Sequence, residues 1–366
     1  MDLATFWFIV LGVLWTGYFV LEGFDFGVGI LLPILGRKKG VVGEAGGHAE
    51  NAENAGNTGV AEKRRRVMLN TIGPVWDGNE VWVLTAGGAT FAAFPHWYAT
   101  MFSGFYLPLL LILVALIVRN LGFEYRHKRP GAEWKSRWDL AIFWGSLVPA
   151  FLWGVALTNL VRGVPIDADM EFTGNLFTLL GPVPLLGGLT FVALFVTHGA
   201  IFLALKTDGP IRSDSRRIAE RVGLVTAVLA VALLLLLGLS DGKAASWATT
   251  VVAAVALLGA LRANRMGREG WAFLGTAVTI ALSVASYFIM LFPNVMPSST
   301  DPAFNLTIEN ASSSEYTLKV MTIVAVIFTP LVLLYQGWTY WVFRKRLTTK
   351  HIPDDVQPDQ PLARVG

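Results

Sequence analysis

The sequence predicts an all-α, polytopic membrane protein of nine transmembrane helices, with its N-terminus outside and its C-terminus inside. Three observations carry this expectation. Hydrophobic residues make up 54% of the chain and charged residues 15%, well below the roughly 25% charged of soluble domains, and the charges gather between long apolar runs. Nine such runs are found when each is asked to hold about 20 residues, the length that crosses a bilayer as a helix. Basic residues then alternate from loop to loop. The loops after the odd-numbered runs hold 7, 6, 5, 3 and 5 Lys plus Arg, 26 of the 29 in the chain, and the rest holds only Arg162, Lys243 and Lys319. By the positive-inside rule those five loops are cytoplasmic, and the alternation itself demands an odd number of crossings.

The runs are 4–35, 68–94, 99–119, 139–161, 178–205, 222–240, 244–261, 271–292 and 318–343. The first follows MDLATFW, with an acid where a signal peptide carries Lys or Arg, and exceeds a signal-peptide core in length, so it stays in the mature chain. The second follows Pro74 and opens with WDGNE, residues 76–80. Arg119 closes the third, and the fifth carries His198, the one histidine within a run. The sixth and seventh are almost wholly Ala, Val and Leu and read as peripheral, lipid-facing helices. Trp7, Trp97 and Trp247 fall near outer ends, and Trp134, Trp271, Trp338 and Trp341 near inner ends, where interfacial anchors are expected. The membrane domain is 1–347. Within it, 40–59 is rich in Gly, Ala, Asn and Glu and reads as a disordered cytoplasmic insertion. Residues 348–366 read as a flexible tail.

Several function classes fall away. The absence of cysteine excludes disulfides, iron–sulfur clusters, thiolate-ligated haem and c-type haem attachment. A net charge of +3 does not imply nucleic acid, because the basic residues occupy short loops beside apolar spans. No nucleotide-binding glycine loop, HExxH or nucleophile elbow is present.

The candidate chemistry is acidic. Glu22 and Asp25 lie inside the first run with no basic neighbour, three residues apart and so on one helical face. A carboxylate near the middle of a membrane helix costs about 2.5 to 3.5 kcal/mol on insertion scales, so such residues face a bundle interior or a wet path. Gly23 and Gly27 beside them form a small-xxx-small face for close helix packing. Asp77 and Glu80 repeat the three-residue spacing. They read either as a capping-box pair, with Asp77 as N-cap, or as acids below the membrane surface. Trp76 and Asn79 of the same motif, with Arg119, count as structural polar residues. For Arg119, snorkelling to the interface is favoured over pairing with an acid. Because the first run descends and the second returns, Glu22, Asp25, Asp77 and Glu80 share the cytoplasmic half and suggest a proton route. Glu124 and Lys128 are an i,i+4 pair if the third helix continues into the cytoplasm. His198 lacks a second intramembrane histidine for a bis-histidine haem.

The stretches LEGFDFGVGILLPILGR at 21–37, NTIGPVWDGNEVWVLTAGGATFAAFP at 70–95, FSGFYLPL at 102–109, RNLGFEYRHK at 119–128 and FPNVMPSST at 292–300 closely resemble, in order, motifs of subunit II of the cytochrome bd-type quinol oxidases. The likeness runs from the first span to the last and weakens in spans six and seven and at 40–59. It implies two four-helix bundles plus a peripheral helix, in the cytoplasmic membrane of a prokaryote. It implies a complex that oxidises quinol, reduces O2 to water and takes up protons from the cytoplasm. Haems b and d and the quinol site would belong to subunit I, with subunit II holding no haem of its own. Some members carry a structural quinone or lipid between helices, and small accessory subunits occur. Matched by motif, Asp77 corresponds to a proton-channel aspartate, Glu124 and Lys128 to the channel's cytoplasmic mouth, and Asp25 to the GFD aspartate. The competing readings are a proton-coupled secondary transporter, which would also use midplane acids but would break helices at matching places in two repeats, and a pure scaffold with no proton path.

Overall fold

A computed structural model describes residues 2–37 and 47–352, with side chains described from 59 onward in the second stretch. It is almost entirely helical: α1 Leu3–Leu35, α2 Gly47–Ile72, α3 Trp76–Ala93, α4 Pro95–Gly104, α5 Tyr106–Tyr125, α6 Ala132–Arg162, α7 Pro182–Lys206, α8 Pro210–Asp241, α9 Ala244–Arg265, α10 Glu269–Leu291 and α11 Glu315–Val342. Two short antiparallel strands, β1 Asn294–Met296 and β2 Leu306–Thr307, fold the loop between α10 and α11. Of the expected insertion, 40–46 lies outside the described residues and 47–59 forms the first part of α2. The tail beyond 352 also lies outside them.

Eight helices among the described residues, α1 and α5 to α11, are long and apolar enough to cross a membrane, and the chain is an integral membrane protein. The other expected crossing, 68–94, does not form one helix. Gly73 and Pro74 interrupt it, since Pro74 has no N–H to offer the carbonyl of Asn70 and strains the preceding turn. Residues 68–72 therefore end α2, and the remainder is α3, 18 residues long with WDGNE in its opening turns. The expected run 99–119 divides in the same way. Pro108 cannot donate to the carbonyl of Gly104, so a short α4 ends there and α5 starts at Tyr106.

Packing centres on α1 and on the contact of α6 with α7. α1 lies against α3, α6 and α7, and α5 packs on α6; α7 packs on α8, and α9 on α10, with α10 also touching α1. The contact of α1 with α7 is close. A Cβ on Gly27 of α1 would sit 2.0 Å from the carbonyl oxygen of Phe195 and 2.8 Å from Cα of Gly199 on α7, so the small face expected around Gly23 and Gly27 lets two backbones meet. α11 rests on α1 and α3 with only Leu318 buried.

Alternate loops gather at opposite ends. At one end Val164 N–H donates to Pro297 at 3.1 Å and Ser313 N–H to Ala93 at 2.8 Å. Trp7 and Trp97, expected as interfacial anchors, are instead buried at 3% and 2% exposure; the Trp7 indole donates to the Leu318 carbonyl and to Thr322 at 3.2 and 3.1 Å, tying α11 to α1. Trp271, Trp338 and Trp341 are exposed as anchors should be. Two of the three cations at this end have a structural use. The Lys243 ammonium donates to the carbonyls of Ile289 and Met290 and also to that of Phe292, capping α10, and Lys319 pairs with Glu315 at 2.7 Å.

At the other end, Arg126 places its guanidinium between Glu62 of α2 (2.9 and 2.8 Å) and Asp139 of α6 (2.6 Å), while Arg64 reaches Asp214 of α8 at 2.8 Å. Burial alone would raise the Glu62 carboxyl, but the hydrogen bonds and charge of Arg126, helped by Lys135, outweigh it and hold Glu62 below its ordinary value.

Candidate proton-relay site between α1, α3 and α5

The interior where α1, α3 and α5 meet is ionic. Arg119 of α5 is fully buried, its guanidinium carbon 4.8 Å from the Phe26 ring centre and 5.5 Å from that of Phe123. Its Nη2 donates to Oε1 of Glu22 and lies 3.5 Å from Oε2 of Glu80. This overturns the snorkelling expectation: two acids on neighbouring helices and two ring faces turn Arg119 inward, where a buried carboxylate needs a cation. Glu80 also accepts from Asn120 Nδ2 at 2.7 Å.

Asp25 lies one turn further along α1 and meets an amide. Asn79 Nδ2 donates to Asp25 Oδ2 at 2.7 Å and points toward the Leu21 carbonyl at 3.4 Å. Asn79 Oδ1 accepts from Tyr340 Oη at 2.6 Å and from Gln336 Nε2 at 3.2 Å, both on α11. Oε2 of Glu22 and Oδ1 of Asp25 are buried and have no partner among the described residues.

The expected acids thus separate into three positions. Glu22, Asp25 and Glu80 converge with Arg119 and Asn79. Asp77 is exposed, in the first turn of α3, and is not the N-cap; Val75, two residues earlier, holds that place without a side-chain bond, because the Gly73–Pro74 break lets the helix start at Trp76. The capping-box reading fails with it, since Glu80 is committed to Asn120 and Arg119. Asp77, Trp76 and Glu80 line the polar end of a groove of ≈710 Å³ between α3, α4 and α5, otherwise walled by apolar side chains such as Leu84, Phe91, Phe102 and Leu113. Trp76 also packs on Phe123 with ring centres 5.3 Å apart. Glu124 and Lys128 are exposed and form no ion pair with each other among the described residues. The reason is local: α5 ends at Tyr125 and tightens into a 3-10 turn over Arg126–Lys128, which removes the i,i+4 geometry. Arg126, between them, carries the contacts instead.

His198 is fully buried between α1, α7 and α10. Its Nδ1 lies 2.7 Å from Thr276 Oγ1 and its Nε2 3.1 Å from the Val20 carbonyl, and its ring stacks on Phe273 at 4.6 Å. Both nitrogens are engaged, so the imidazole joins helices and offers no free lone pair to an iron. Among the described residues no group of three or more His, Asp or Glu is arranged to hold a metal ion.

Sequence reasoning missed Gln336, Tyr340 and Asn120. Gln336 did give a signal, as a lone amide within LVLLYQGW of the last span. Such a residue in hydrocarbon seeks a partner on another helix.

The comparisons with known proteins agree with this architecture. A family model described as cytochrome bd terminal oxidase subunit II matches residues 3–343. A cytochrome bd ubiquinol oxidase subunit 2 from Bacillus subtilis is 42% identical over 354 residues, covering 95% of this chain and 98% of the relative. The cytochrome bd-I ubiquinol oxidase subunit 2 of Escherichia coli K12 is 37% identical over 384 residues, covering 94% and 95%. In the solved bd oxidase of Geobacillus thermodenitrificans a chain superposes with a TM-score of 0.72 at 18% identity, covering 94% of this chain and 100% of that one, a likeness of fold. Matched over nearly its whole length by family and relatives alike, the chain belongs to the cytochrome bd terminal oxidase subunit II family.

Proposed function

We propose that this chain is the second subunit of a quinol:O2 oxidoreductase of a prokaryotic cytoplasmic membrane, and that it provides a scaffold and a cytoplasmic proton path to a haem-bearing subunit I. The observation that carries the proton path is the ion-paired cluster of Glu22, Glu80 and Arg119, next to Asp25, opening through Glu80 toward Asp77 at the end of the α3–α5 groove. Ionisable groups inside a membrane that face one another mark proton relays by default. In this reading Asp77 takes up protons at the groove mouth and passes them on at the groove. Glu22, Glu80 and Asp25 hold charge and protons in the dry interior, and Arg119 keeps the net charge there low. Glu124 and Lys128 remain assigned to the cytoplasmic approach, as exposed groups on the same end of α5.

The haems are assigned to subunit I, in keeping with a His198 whose two nitrogens are already bonded. Subunit I is assigned to the groove and the adjoining face of α11. Gly78, Gly87 and Gly88 leave open space along α3, small residues of the kind that membrane helices pack against. The full topology is nine crossings, with α3 as the second, the N-terminus outside, and two four-helix bundles, α1–α3–α5–α6 and α7 to α10, with α11 peripheral. The gathering of alternate loops at opposite ends supports it.

A transporter would break helices at matching positions in both halves. Here the breaks at 73–75 and 105 both fall in the first half. The test is purification of the native complex. A haem-rich partner and quinol-driven O2 consumption are expected; a chain that purifies alone and moves a solute into liposomes would reject the reading. The chain has no native cysteine, so topology is read directly. Ser299→Cys should label from outside and Ser213→Cys only after permeabilisation.

A further inference from the structure

Three hydrogen bonds in series lead from Trp82 through Gln336 of α11 and Asn79 to Asp25, a fourth from Tyr340 joins them at Asn79, and their polarity is set from one end. An indole N–H can only donate. Trp82 Nε1 donates to Gln336 Oε1 at 2.9 Å, so the Gln336 oxygen is the acceptor and its Nε2 is left to donate to Asn79 Oδ1 at 3.2 Å. Tyr340 adds a second donor to the same oxygen at 2.6 Å. With Oδ1 accepting twice, the Asn79 amide cannot turn over, and its Nδ2 must face Asp25 Oδ2 at 2.7 Å. An oxygen that receives an N–H at that distance has no room for a proton of its own directed at the same nitrogen.

We propose that Trp82, Gln336 and Tyr340 are positioning residues which, through Asn79, confine the exchangeable proton of Asp25 to Oδ1. That oxygen is buried and without a partner among the described residues, as is Oε2 of Glu22, three residues earlier on the same face of α1. The chain of bonds therefore keeps the acidic O–H of Asp25 off the oxygen that faces the Asn79 amide. The placement rests on the proton-path reading for its use, but its geometry does not depend on that use. It also gives the barely buried α11 a task at the relay beyond packing.

The test uses the purified oxidase complex carrying Gln336→Leu together with Tyr340→Phe, substitutions that keep size and remove both donors to Asn79 Oδ1. The amide is then free to turn and offer its oxygen to Asp25. The readout is the infrared carbonyl stretch of protonated Asp25, assigned by ¹³C-aspartate labelling and by its loss in Asp25→Asn, whose amide oxygen can still accept from Asn79. In the unsubstituted complex the carbonyl is Oδ2 and accepts an N–H, which lowers its frequency. In the double variant the O–H moves to Oδ2 and the carbonyl becomes free, so the band should rise in frequency. Quinol oxidase turnover should fall about tenfold at unchanged haem content, the low end of losses when the outer partners of a functional side chain are removed. Gln336→Glu, which disturbs polarity and keeps length, should move the band as well. A band at the unsubstituted frequency in both variants overturns the proposal. So does the absence of any protonated Asp25 band down to the lowest pH at which the complex keeps its haem. A shifted band with unchanged turnover would uphold the placement and count against Asp25 as a relay, which separates the two ideas.

Discussion

Between α1, α3 and α5 the interior holds Glu22, Asp25, Glu80 and Arg119, whereas along the middle of α7 to α10 it holds hydroxyls and one imidazole, the buried Glu269 lying at the start of α10, where it pairs with Arg212 at 2.8 Å. Along that middle, Thr197 meets Thr226 at 2.9 Å, Thr250 meets Ser286 at 3.0 Å, and His198 meets Thr276 at 2.7 Å. The difference lies in what each half needs from its neighbours. A threonine in a membrane helix satisfies itself on its own backbone, as Thr197 does on Ala193 at 2.8 Å and Thr226 on Val222 at 2.9 Å, so a cross-helix contact adds little. A buried carboxylate has no such recourse and must find a cation or an amide on another helix. The middle of the first half is therefore organised by its charges, and that of the second by shape.

That contrast can be broken most forcefully at Arg119. Arg119→Leu leaves Glu22 and Glu80 without their shared cation, and removing one partner of a buried ion pair costs about 3 to 5 kcal/mol. We expect little or no assembled, haem-containing complex, measured by haem per protein after purification. Normal haem content in that variant would mean that the charges do not organise the first half.

A smaller effect is expected at the ionic contacts around Arg126. Glu62 is held below its ordinary value of 4.5 by Arg126 and Lys135 against the opposing pull of burial. A depressed carboxyl contributes stability that is present above its unfolded value and lost as pH falls through the folded value. Thermal stability of the complex should therefore decline as pH drops below about 4.5. Glu62→Gln should lower stability at neutral pH and flatten that part of the profile. An unchanged profile would detach α2 from the scheme.

The smallest effect is expected in the second half. Thr197→Val removes the contact to Thr226, and cross-helix hydrogen bonds of this kind average about 0.6 kcal/mol. A loss of several kcal/mol, measured by denaturation of the complex, would show that the hydroxyl pairs organise their half as the charges do theirs.

How much of this was legible in the sequence follows the same division. The runs, their polarity and the acids of α1 and α3 can be read because each depends on residues near in sequence. The Gly73–Pro74 and Gly104–Pro108 breaks are also local, but they lie inside or beside apolar runs whose length outweighs them in a count of about 20 residues. Arg119 was misread because its fate depends on how α5 is rotated about its axis. One face leads to the interface and the other to Glu22, and the sequence near Arg119 does not say which α1 occupies. Asn79 and Tyr340 are 261 positions apart, and nothing in a single chain announces that the last helix closes on the third. The misplaced cap at Asp77 is an error of two residues, enough to convert a capping side chain into a free one.

That free side chain gives the most direct test of the central claim that the charged half delivers protons. Asp77 makes no hydrogen bond or ion pair among the described residues and stands in the first turn of α3, where losing a negative charge costs roughly 0.3 to 1 kcal/mol. Asp77→Asn should therefore leave the fold and the complex intact. Haem content and quinol-driven O2 consumption are to be measured on the same purified preparation. We predict a normal haem spectrum with turnover lowered by about an order of magnitude, the lower range for a lost acid–base step. Turnover equal to that of the unsubstituted complex would contradict the account and leave Asp77 as an exposed charge at a helix start.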